Sequence, residues 1–285
     1  MSVDLIKKRL ESYVFKNKQE EFNALKEIAQ EIVLLALFRA NFFKIGAFQG
    51  GTCLRIIHSL PRFSEDLDFV LQVSDKKFSW DIYLKEIQLE FQGFGLHLEV
   101  QDRSETSGIV KKAFIKEDSF GKVLTLQHFR NKSDSQKIKI KLEIDTNPPQ
   151  GSNFESNFVD FPYPFSIVTQ DLESLFAGKC HALLCREYIK GRDWYDFLWY
   201  IRNKVKVNVN LLTSALIQKG PWINQKVEIN RDWLISKFEK KIEEINWNVA
   251  SQDVRPFLKI REIESLSQWD NHLFKHYLKS ILVTS

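Results

Sequence analysis

The chain has 285 residues, of which 44% are hydrophobic and 27% charged, a composition typical of a globular protein that can bury a core. Lysine and arginine number 41 against 37 acidic residues, so the net charge of +4 permits a nucleic-acid partner without requiring one. Three cysteines exclude a disulfide scaffold and favour a cytoplasmic location, and the longest apolar run, 32–38, is too short to span a bilayer.

The N-terminal segment has apolar residues at three- and four-residue spacing through 2–40, which predicts two helices with a break near Asn17. Asp4 and further charged residues follow Met1, so we expect no secretory signal peptide. The apolar segment 42–48 is predicted to be the first core strand, and it ends at two glycines.

The remaining elements predict an α+β half followed by a helical half, with domains at 1–165 and 166–285. In chain order we predict a helix over 79–91, strands over 96–100, 109–115, 122–129 and 136–146, a loop over 150–168, and helices over 169–186, 193–202, 211–218, 231–247 and 268–282. Strand 136–146 is the clearest, because isoleucine and leucine alternate strictly with charged residues.

The segment 48–69 organises these elements into a candidate site. Gly50 and Gly51 stand before a predicted short helix, whose free N–H groups and positive dipole end suit a phosphate. Asp66 and Asp68 follow on a predicted strand and share one face, where two carboxylates can hold a hard cation such as Mg²⁺. Each part alone is weak, since a Gly-Gly-Thr is often only a tight turn and an Asp-x-Asp is often solvated.

Other charged residues could complete this site, although each also has a structural interpretation. Arg55 and Arg62 could meet a triphosphate, or could pair with the nearby acids. Glu143 or Asp145, on the charged face of strand 136–146, could supply a third acid if that strand neighbours the first two acids. The alternative is a solvated strand face, because Lys137, Lys139 and Lys141 share it.

A later helical pair carries a second group of charged residues. Lys179 and Arg186 are seven residues apart on a predicted helix, so they share a face and could reach phosphates. Asp193 and Asp196 begin the next helix, where the helix dipole also favours acids. Cys180, His181 and Cys185 lack the spacing of a zinc site.

Four motifs in this order resemble a known family: Gly-Gly-Thr-Cys-Leu-Arg at 50–55, Arg-Phe-Ser-Glu-Asp-Leu-Asp-Phe at 62–69, Lys-Leu-Glu-Ile-Asp-Thr at 141–146, and Lys-Cys-His-Ala-Leu-Leu-Cys-Arg at 179–186 with Arg-Asp-Trp-Tyr-Asp at 192–196. Together they resemble the AbiEii/AbiGii nucleotidyltransferase toxin family, which belongs to the DNA polymerase β-like nucleotidyltransferase superfamily and includes the MenT toxins. The resemblance covers roughly residues 40–200, and no motif beyond about residue 205 matches.

This resemblance implies a nucleotidyltransferase-type N-terminal domain with a mixed twisted sheet flanked by helices, and a helical domain that contributes Lys and Asp to the active site. It implies that Mg²⁺ or Mn²⁺ is bound by three acids, Asp66, Asp68 and Glu143; Asp145 ranks lower because the family often has Asn there. The implied catalytic residues are Asp66, Asp68, Glu143, Lys179 and Asp193. The implied nucleotide-binding residues are Gly50, Gly51, Thr52, Arg55, Arg62, Ser64, Lys179 and Arg186.

The resemblance also implies a function and partners. We expect a cytoplasmic toxin of a toxin–antitoxin or abortive-infection system that transfers a nucleotide from an NTP to RNA, above all to the tRNA 3′ end. A cognate antitoxin is the expected protein partner, and no membrane partner is expected. Two alternatives stay open: the same chemistry on a protein or small-molecule hydroxyl, and a non-catalytic nucleotide or RNA binder. The carboxylate pair disfavours the binder, which needs no paired metal ligands.

Overall fold

A computed structural model of the chain describes residues 2–104, 109–117 and 137–284. The chain forms two compact units: Met1–Pro148 with Ser156–Thr169, and Pro149–Glu155 with Gln170–Ser285. The predicted strand at 122–129 lies outside the described residues. Within them, no helix is long and apolar enough to cross a membrane. The α+β fold class is confirmed, because a mixed sheet in the first part of the chain is followed by a mainly helical part.

One mixed sheet of seven strands runs through the described residues, in the order β3-β4-β5-β2-β1-β7-β6. Its strands are β1 (Gly46–Gln49), β2 (Leu67–Leu71), β3 (Leu98–Asp102), β4 (Val110–Glu117), β5 (Ile138–Asp145), β6 (Phe154–Val159) and β7 (Phe165–Gln170). β2 lies between antiparallel β1 and parallel β5, so the strand that carries Asp68 is central in the sheet. The predicted alternation in β5 is confirmed, since its isoleucines and Leu142 are buried.

The described residues of the N-terminal unit form four α-helices: α1 (Ser2–Glu11), α2 (Lys18–Arg39), α3 (Gly50–Ile57) and α4 (Asp81–Gly93). The predicted break near Asn17 is confirmed, because the Asn17 side chain caps α2 by accepting a hydrogen bond of 2.9 Å from the backbone N–H of Glu20. α2 packs against α4 and β5, and it is buried along most of its length.

The prediction of a strand over 42–48 is wrong in its first half. Asn41 has a φ of 57°, and residues Phe42–Lys44 then form a 3₁₀ turn before β1 begins. In a strand, Phe42 and Phe43 would point to opposite faces, whereas the turn buries both rings. The ring of Phe42 lies 5.0 Å from that of Phe69 and 5.9 Å from that of Trp80, at the centre of an aromatic cluster.

The prediction of a loop over 150–168 is also wrong, because this segment contains β6 and most of β7. Pro162 and Pro164 lie in the connection between the two strands. β7 pairs in parallel with β1, through Phe48 and Thr169, and the buried residues of β7 include Phe165 and Ile167. Pro162 and Pro164 suggested a loop, but prolines that lie between two strands do not exclude a strand on either side.

The C-terminal unit consists mainly of seven described helices: α5 (Leu172–Cys185), α6 (Gly191–Arg202), α7 (Val209–Gln218), α8 (Arg231–Glu243), α9 (Trp247–Val254), α10 (Ile260–Ile263) and α11 (Asn271–Leu278). Strands β8 (Lys206–Val207) and β9 (Leu282–Val283) pair in parallel. The predicted helix at 231–247 ends at Glu243, since Asn246 caps a new helix by accepting a hydrogen bond from Val249 N–H. The helix predicted over 268–282 is shorter, because Asp270 caps it.

Candidate active site

A row of polar side chains crosses three adjacent strands at one level of the sheet. Gln49 at the end of β1 pairs with Asp68 of β2, and Asp68 pairs with Glu143 of β5. The structure therefore brings Glu143 directly beside Asp68. Asp145 lies one pleat further along, opposite Val70, and its carboxylate accepts a hydrogen bond of 2.9 Å from the backbone N–H of Asn147.

Asp66 stands immediately before β2 and is tied to α3. Leu67 and Phe69 are buried in the core, which leaves Asp66 and Asp68 on the opposite face, both partly exposed. The buried hydroxyl of Thr52 donates a hydrogen bond to the backbone carbonyl of Asp66. This bond joins the helix that follows the glycines to the chain segment that carries the acids.

Gly50 is in direct contact with Asp68. Gly50 has a φ of +80°, and a Cβ built on it would lie 2.5 Å from Oδ2 and 3.0 Å from Cβ of Asp68. Only glycine combines this left-handed conformation with so close an approach. The glycine bend and the Asp68 carboxylate are therefore neighbours, as a phosphate seat beside a metal-binding acid requires.

Gly51 is packed just as closely against two other predicted site residues. A Cβ built on Gly51 would lie 2.5 Å from Nη2 of Arg62 and 3.1 Å from Oγ of Ser64. Arg62 is buried, and its Nη1 donates a hydrogen bond of 2.9 Å to the carbonyl of Phe63. A cation and a hydroxyl thus lie beside the first turn of α3.

The start of α3 carries no side-chain cap. Gln49 occupies the capping position, but its amide Nε2 donates to the carbonyl of Phe69 at 3.0 Å. The first N–H groups of a helix have no partner within the helix, and they suit an anion. The N-terminus of α3 is therefore chemically suited to phosphate.

Lys141 is the basic member of the acid row, and sequence reasoning did not single it out for this role. Its Nζ lies 2.7 Å from Oε2 of Glu143, while Lys112 Nζ is 3.8 Å from Oε1. Burial lowers the pKa of Lys141, but the hydrogen bond and charge of Glu143 and the charges of Asp66 and Asp68 outweigh this effect and raise it. All three acids therefore act electrostatically on one ammonium group.

The acid row fits a divalent cation by its chemistry. Mg²⁺ prefers oxygen ligands, and two or three carboxylates on adjacent strands supply them. In the described part of the chain, however, no three His, Cys, Asp or Glu side chains are gathered closely enough to hold a metal. At Glu143, the positive charges beside the carboxylate are those of Lys141 and, further away, Lys112.

Arg55 points to a structural partner. Its Nε lies 2.6 Å from Oε2 of Glu27 on α2, and its Nη1 donates to the carbonyls of Leu60 and Pro61 at 2.9 Å each. The guanidinium also lies 4.5 Å from the ring centroid of Phe63. These contacts fix the loop that leads from α3 to β2.

Two polar residues of α2, which the sequence analysis missed, hold the segment before Asp66. Gln30 donates to the carbonyls of Ser64 and Glu65 at 3.2 and 2.8 Å, and Lys26 Nζ pairs with Glu65 at 3.1 Å. In the sequence, these two residues belong to a polar stripe at helical spacing on α2, namely Asn23, Lys26, Glu27 and Gln30, and all four are buried in the structure. Such a stripe ordinarily faces solvent, whereas here it is buried, and Gln30 and Lys26 bind the segment before Asp66.

The C-terminal unit gathers the later group of predicted residues into one ion-pair cluster. Lys179 Nζ lies 2.6 Å from Asp193 Oδ1 and 2.9 Å from Asp196 Oδ2, and Arg186 pairs with the other oxygen of Asp193. The Asp196 side chain is completely buried. Its negative charge is therefore compensated by the ion pair with Lys179 rather than by the helix dipole. The helical spacing of Lys179 and Arg186 does bring both to one carboxylate.

Known proteins share sequence and fold features with this chain. The model of the family described as nucleotidyl transferase AbiEii toxin, type IV toxin–antitoxin system, matches residues 32–274. JHP933 from Helicobacter pylori has a similar fold, with a TM-score of 0.53 and 15% identity over 90% of each chain. A candidate nucleotidyltransferase from H. pylori gives a TM-score of 0.46 and 16% identity over 88% of each chain. No curated protein matches the sequence significantly.

Proposed function

Because this chain belongs to the AbiEii nucleotidyltransferase toxin family, we propose that it transfers a nucleoside monophosphate from an NTP to an RNA acceptor, the tRNA 3′ end. The family implies an NTP substrate and an antitoxin partner. The observation that carries the catalytic part is the contact of Gly50 with Asp68, in the row that includes Glu143. This contact supports the proposal that phosphate binds at the glycine bend, beside the acids.

In the proposed reaction, the residues around the glycine bend hold the nucleotide. The N–H groups at the start of α3 face the phosphates; beside them, Arg62 balances the phosphate charge and the Ser64 hydroxyl can donate a hydrogen bond. To hold a divalent cation, Asp66, Asp68 and Glu143 would have to draw closer together than they lie in the structure; the cation would then neutralise phosphate charge and lower the pKa of an attacking hydroxyl. The acceptor oxygen bonds to the α-phosphorus, the bond to the β-phosphate breaks, pyrophosphate leaves and the hydroxyl proton passes to water.

One part of the sequence prediction remains a prediction in this scheme, and one is revised. Lys179, Arg186 and Asp193 are proposed to serve the nucleotide, and their mutual ion pairs support only that they act as one group. Arg55 is assigned to holding the loop before β2 rather than to binding the nucleotide, because its described contacts are with Glu27 and backbone carbonyls.

The decisive experiment labels the acceptor. Purified protein is incubated with each of the four α-³²P-labelled NTPs, with total RNA or purified tRNA, and with Mg²⁺, Mn²⁺ or EDTA. We expect label in tRNA with at least one NTP, lost in EDTA and reduced at least about 10³-fold by Asp66→Ala. Glu86→Gln, an exposed acid on α4, is the matched control and should keep full activity.

Each other outcome has a definite meaning, provided that circular dichroism shows the variants folded. Near-full activity of Asp66→Ala would refute the metal-binding role of the acid pair. Label that enters protein bands and never RNA moves the assignment to a protein acceptor. NTP binding without transfer to any acceptor would leave only a nucleotide binder.

A further inference from the structure

A cavity lies beside the acid row in the N-terminal unit. It is a cleft of about 570 Å³, and its lining includes Asp66, three lysines in or just before β5 and two phenylalanines, namely Lys137, Lys139, Lys141, Phe22 and Phe114. It lies on the β5 side of the acids, whereas the glycine bend meets Asp68 from the β1 side.

The floor of the cleft follows from the strand register. Pairing of β2 with β5 begins at Leu67 and Leu142, four residues after β5 itself begins at Ile138. β4 accompanies β5 along this first half, for example through Ile115 and Ile140. The first half of β5 therefore extends past the start of β2, and Asp66 stands where the two strands come together.

The lysines form a stripe that leads to the acids. Lys139 and Lys141 of β5, with Lys137 immediately before it, occupy alternate positions, so they share the face that carries Glu143, at a spacing of roughly 6.6 Å. This spacing resembles that of successive phosphates in an extended nucleotide strand. Ile138 and Ile140 are buried on the other face, which fixes the stripe, because a one-residue slip would bury the lysines.

The two aromatic rings give the cleft a second feature of nucleic-acid sites. Phe22 and Phe114 are both only partly buried, although the other ring-bearing residues near the sheet centre are enclosed. Lys26 Nζ lies 5.4 Å from the Phe22 ring centroid, and Arg103 lies 5.1 Å from that of Phe114. A basic groove with accessible aromatic rings is the arrangement that binds single-stranded nucleic acid, through phosphates and stacked bases.

We propose that this cleft seats the single-stranded 3′ end of the acceptor RNA. The lysine stripe holds its phosphates, Phe22 and Phe114 stack its bases, and the terminal hydroxyl lies beside Asp66. The inference rests on the proposed function, in which the NTP phosphates occupy the opposite, glycine side of the acids. The side with the lysines is then left for the second substrate, and its charge suits a polyanion.

The test measures RNA binding without catalysis. A fluorescein-labelled single-stranded RNA of about ten nucleotides is titrated by anisotropy in EDTA and without NTP, at several salt concentrations. We expect Lys139→Glu to weaken binding about tenfold or more, and to reduce the slope of log K against log salt by about 0.7 or more. Phe114→Ala should weaken binding about tenfold with little change in this slope. Lys85→Glu, an exposed lysine on α4 outside the cleft, should bind RNA like the wild type.

Steady-state kinetics complete the test and separate its failure from that of the proposed function. Lys139→Glu should raise the KM for RNA about tenfold and leave the KM for NTP unchanged. Transfer to RNA with a wild-type RNA KM and Kd in Lys139→Glu would overturn the cleft while the function stands. If the wild type labels no RNA, but Lys139→Glu selectively loses RNA binding, the result would support the cleft as an RNA site and overturn the proposed transfer to RNA. Lys139→Gln serves as the milder variant if Lys139→Glu does not fold.

Discussion

Gly50→Ala tests the contact on which the catalytic proposal depends. The new methyl carbon would lie 2.5 Å from Oδ2 of Asp68, against about 3.4 Å for an ordinary van der Waals contact, so the two groups must separate by about 0.9 Å. The backbone at a φ of +80° is also unfavourable for alanine. One substitution therefore strains the bend and displaces the acid.

Two magnitudes follow from this geometry. A non-glycine residue in the left-handed region costs about 1–2 kcal/mol, which we expect as the loss in free energy of unfolding. Displacement of a reacting group by about 1 Å costs about 10²-fold in rate. Activity should therefore fall about 100-fold in a protein that remains folded at 25 °C.

The assay compares Gly50→Ala with Gly93→Ala, in which the new methyl group meets nothing within 4 Å at the last residue of α4. Urea unfolding measures stability and labelled-NTP transfer measures rate. Gly93→Ala should keep full activity, and alanine should stabilise the helix by up to about 1 kcal/mol. If Gly50→Ala retained activity within about threefold of wild type, the bend would not position Asp68, and the proposed site geometry would be wrong.

Two further predictions concern buried ion pairs. Arg9 contacts both carboxylate oxygens of Glu31, and burial raises the pKa of Glu31 to about 7 even beside Arg9. Arg9→Leu should lower the free energy of unfolding, measured with urea, by about 3 kcal/mol at pH 8. The loss should shrink as the pH falls below 7, because the raised folded-state pKa of Glu31 favours its protonated, uncharged form. A loss of unfolding free energy that is independent of pH would contradict this. Lys179→Met removes the ion pair of buried Asp196 and should lower the free energy of unfolding by about 3 kcal/mol. Lys275→Met removes an exposed ion pair with Glu243 and should leave the urea midpoint unchanged. Equal effects of the two variants on the urea midpoint would contradict this prediction.

The parts of the site that the sequence predicted are those with short-range signals. The glycines before α3 and the alternation of β5 are local patterns, and both elements form as predicted. The neighbouring position of Asp68 and Glu143 depended on strand order, which the sequence allowed but did not determine. Sheet pairing joins residues far apart in the chain, so a single sequence contains no direct record of it.

The parts that escaped prediction depend on partners distant in sequence. Arg55 could be expected beside the nearby acids, but its carboxylate partner is Glu27 of α2. Lys26 and Gln30 hold the segment before Asp66 from the same helix, across more than thirty residues of chain. Burying these polar groups is favourable only with such partners, and composition does not say which partners they find.

The polar face of β5 explains why Lys139 is a sharper probe than Lys141. Lys137 stands just before β5, and Lys139, Lys141, Glu143 and Asp145 follow along this face, so a basic half is followed by an acidic half. Lys141 stands at the boundary, where it pairs with Glu143 and also lines the cleft, so replacing it would change the acid row and the cleft together. Lys139 lies one pleat further from the acids. A polyanion held along the basic half would end where the acids begin, so strand register alone can bring an RNA terminus to the reacting phosphate.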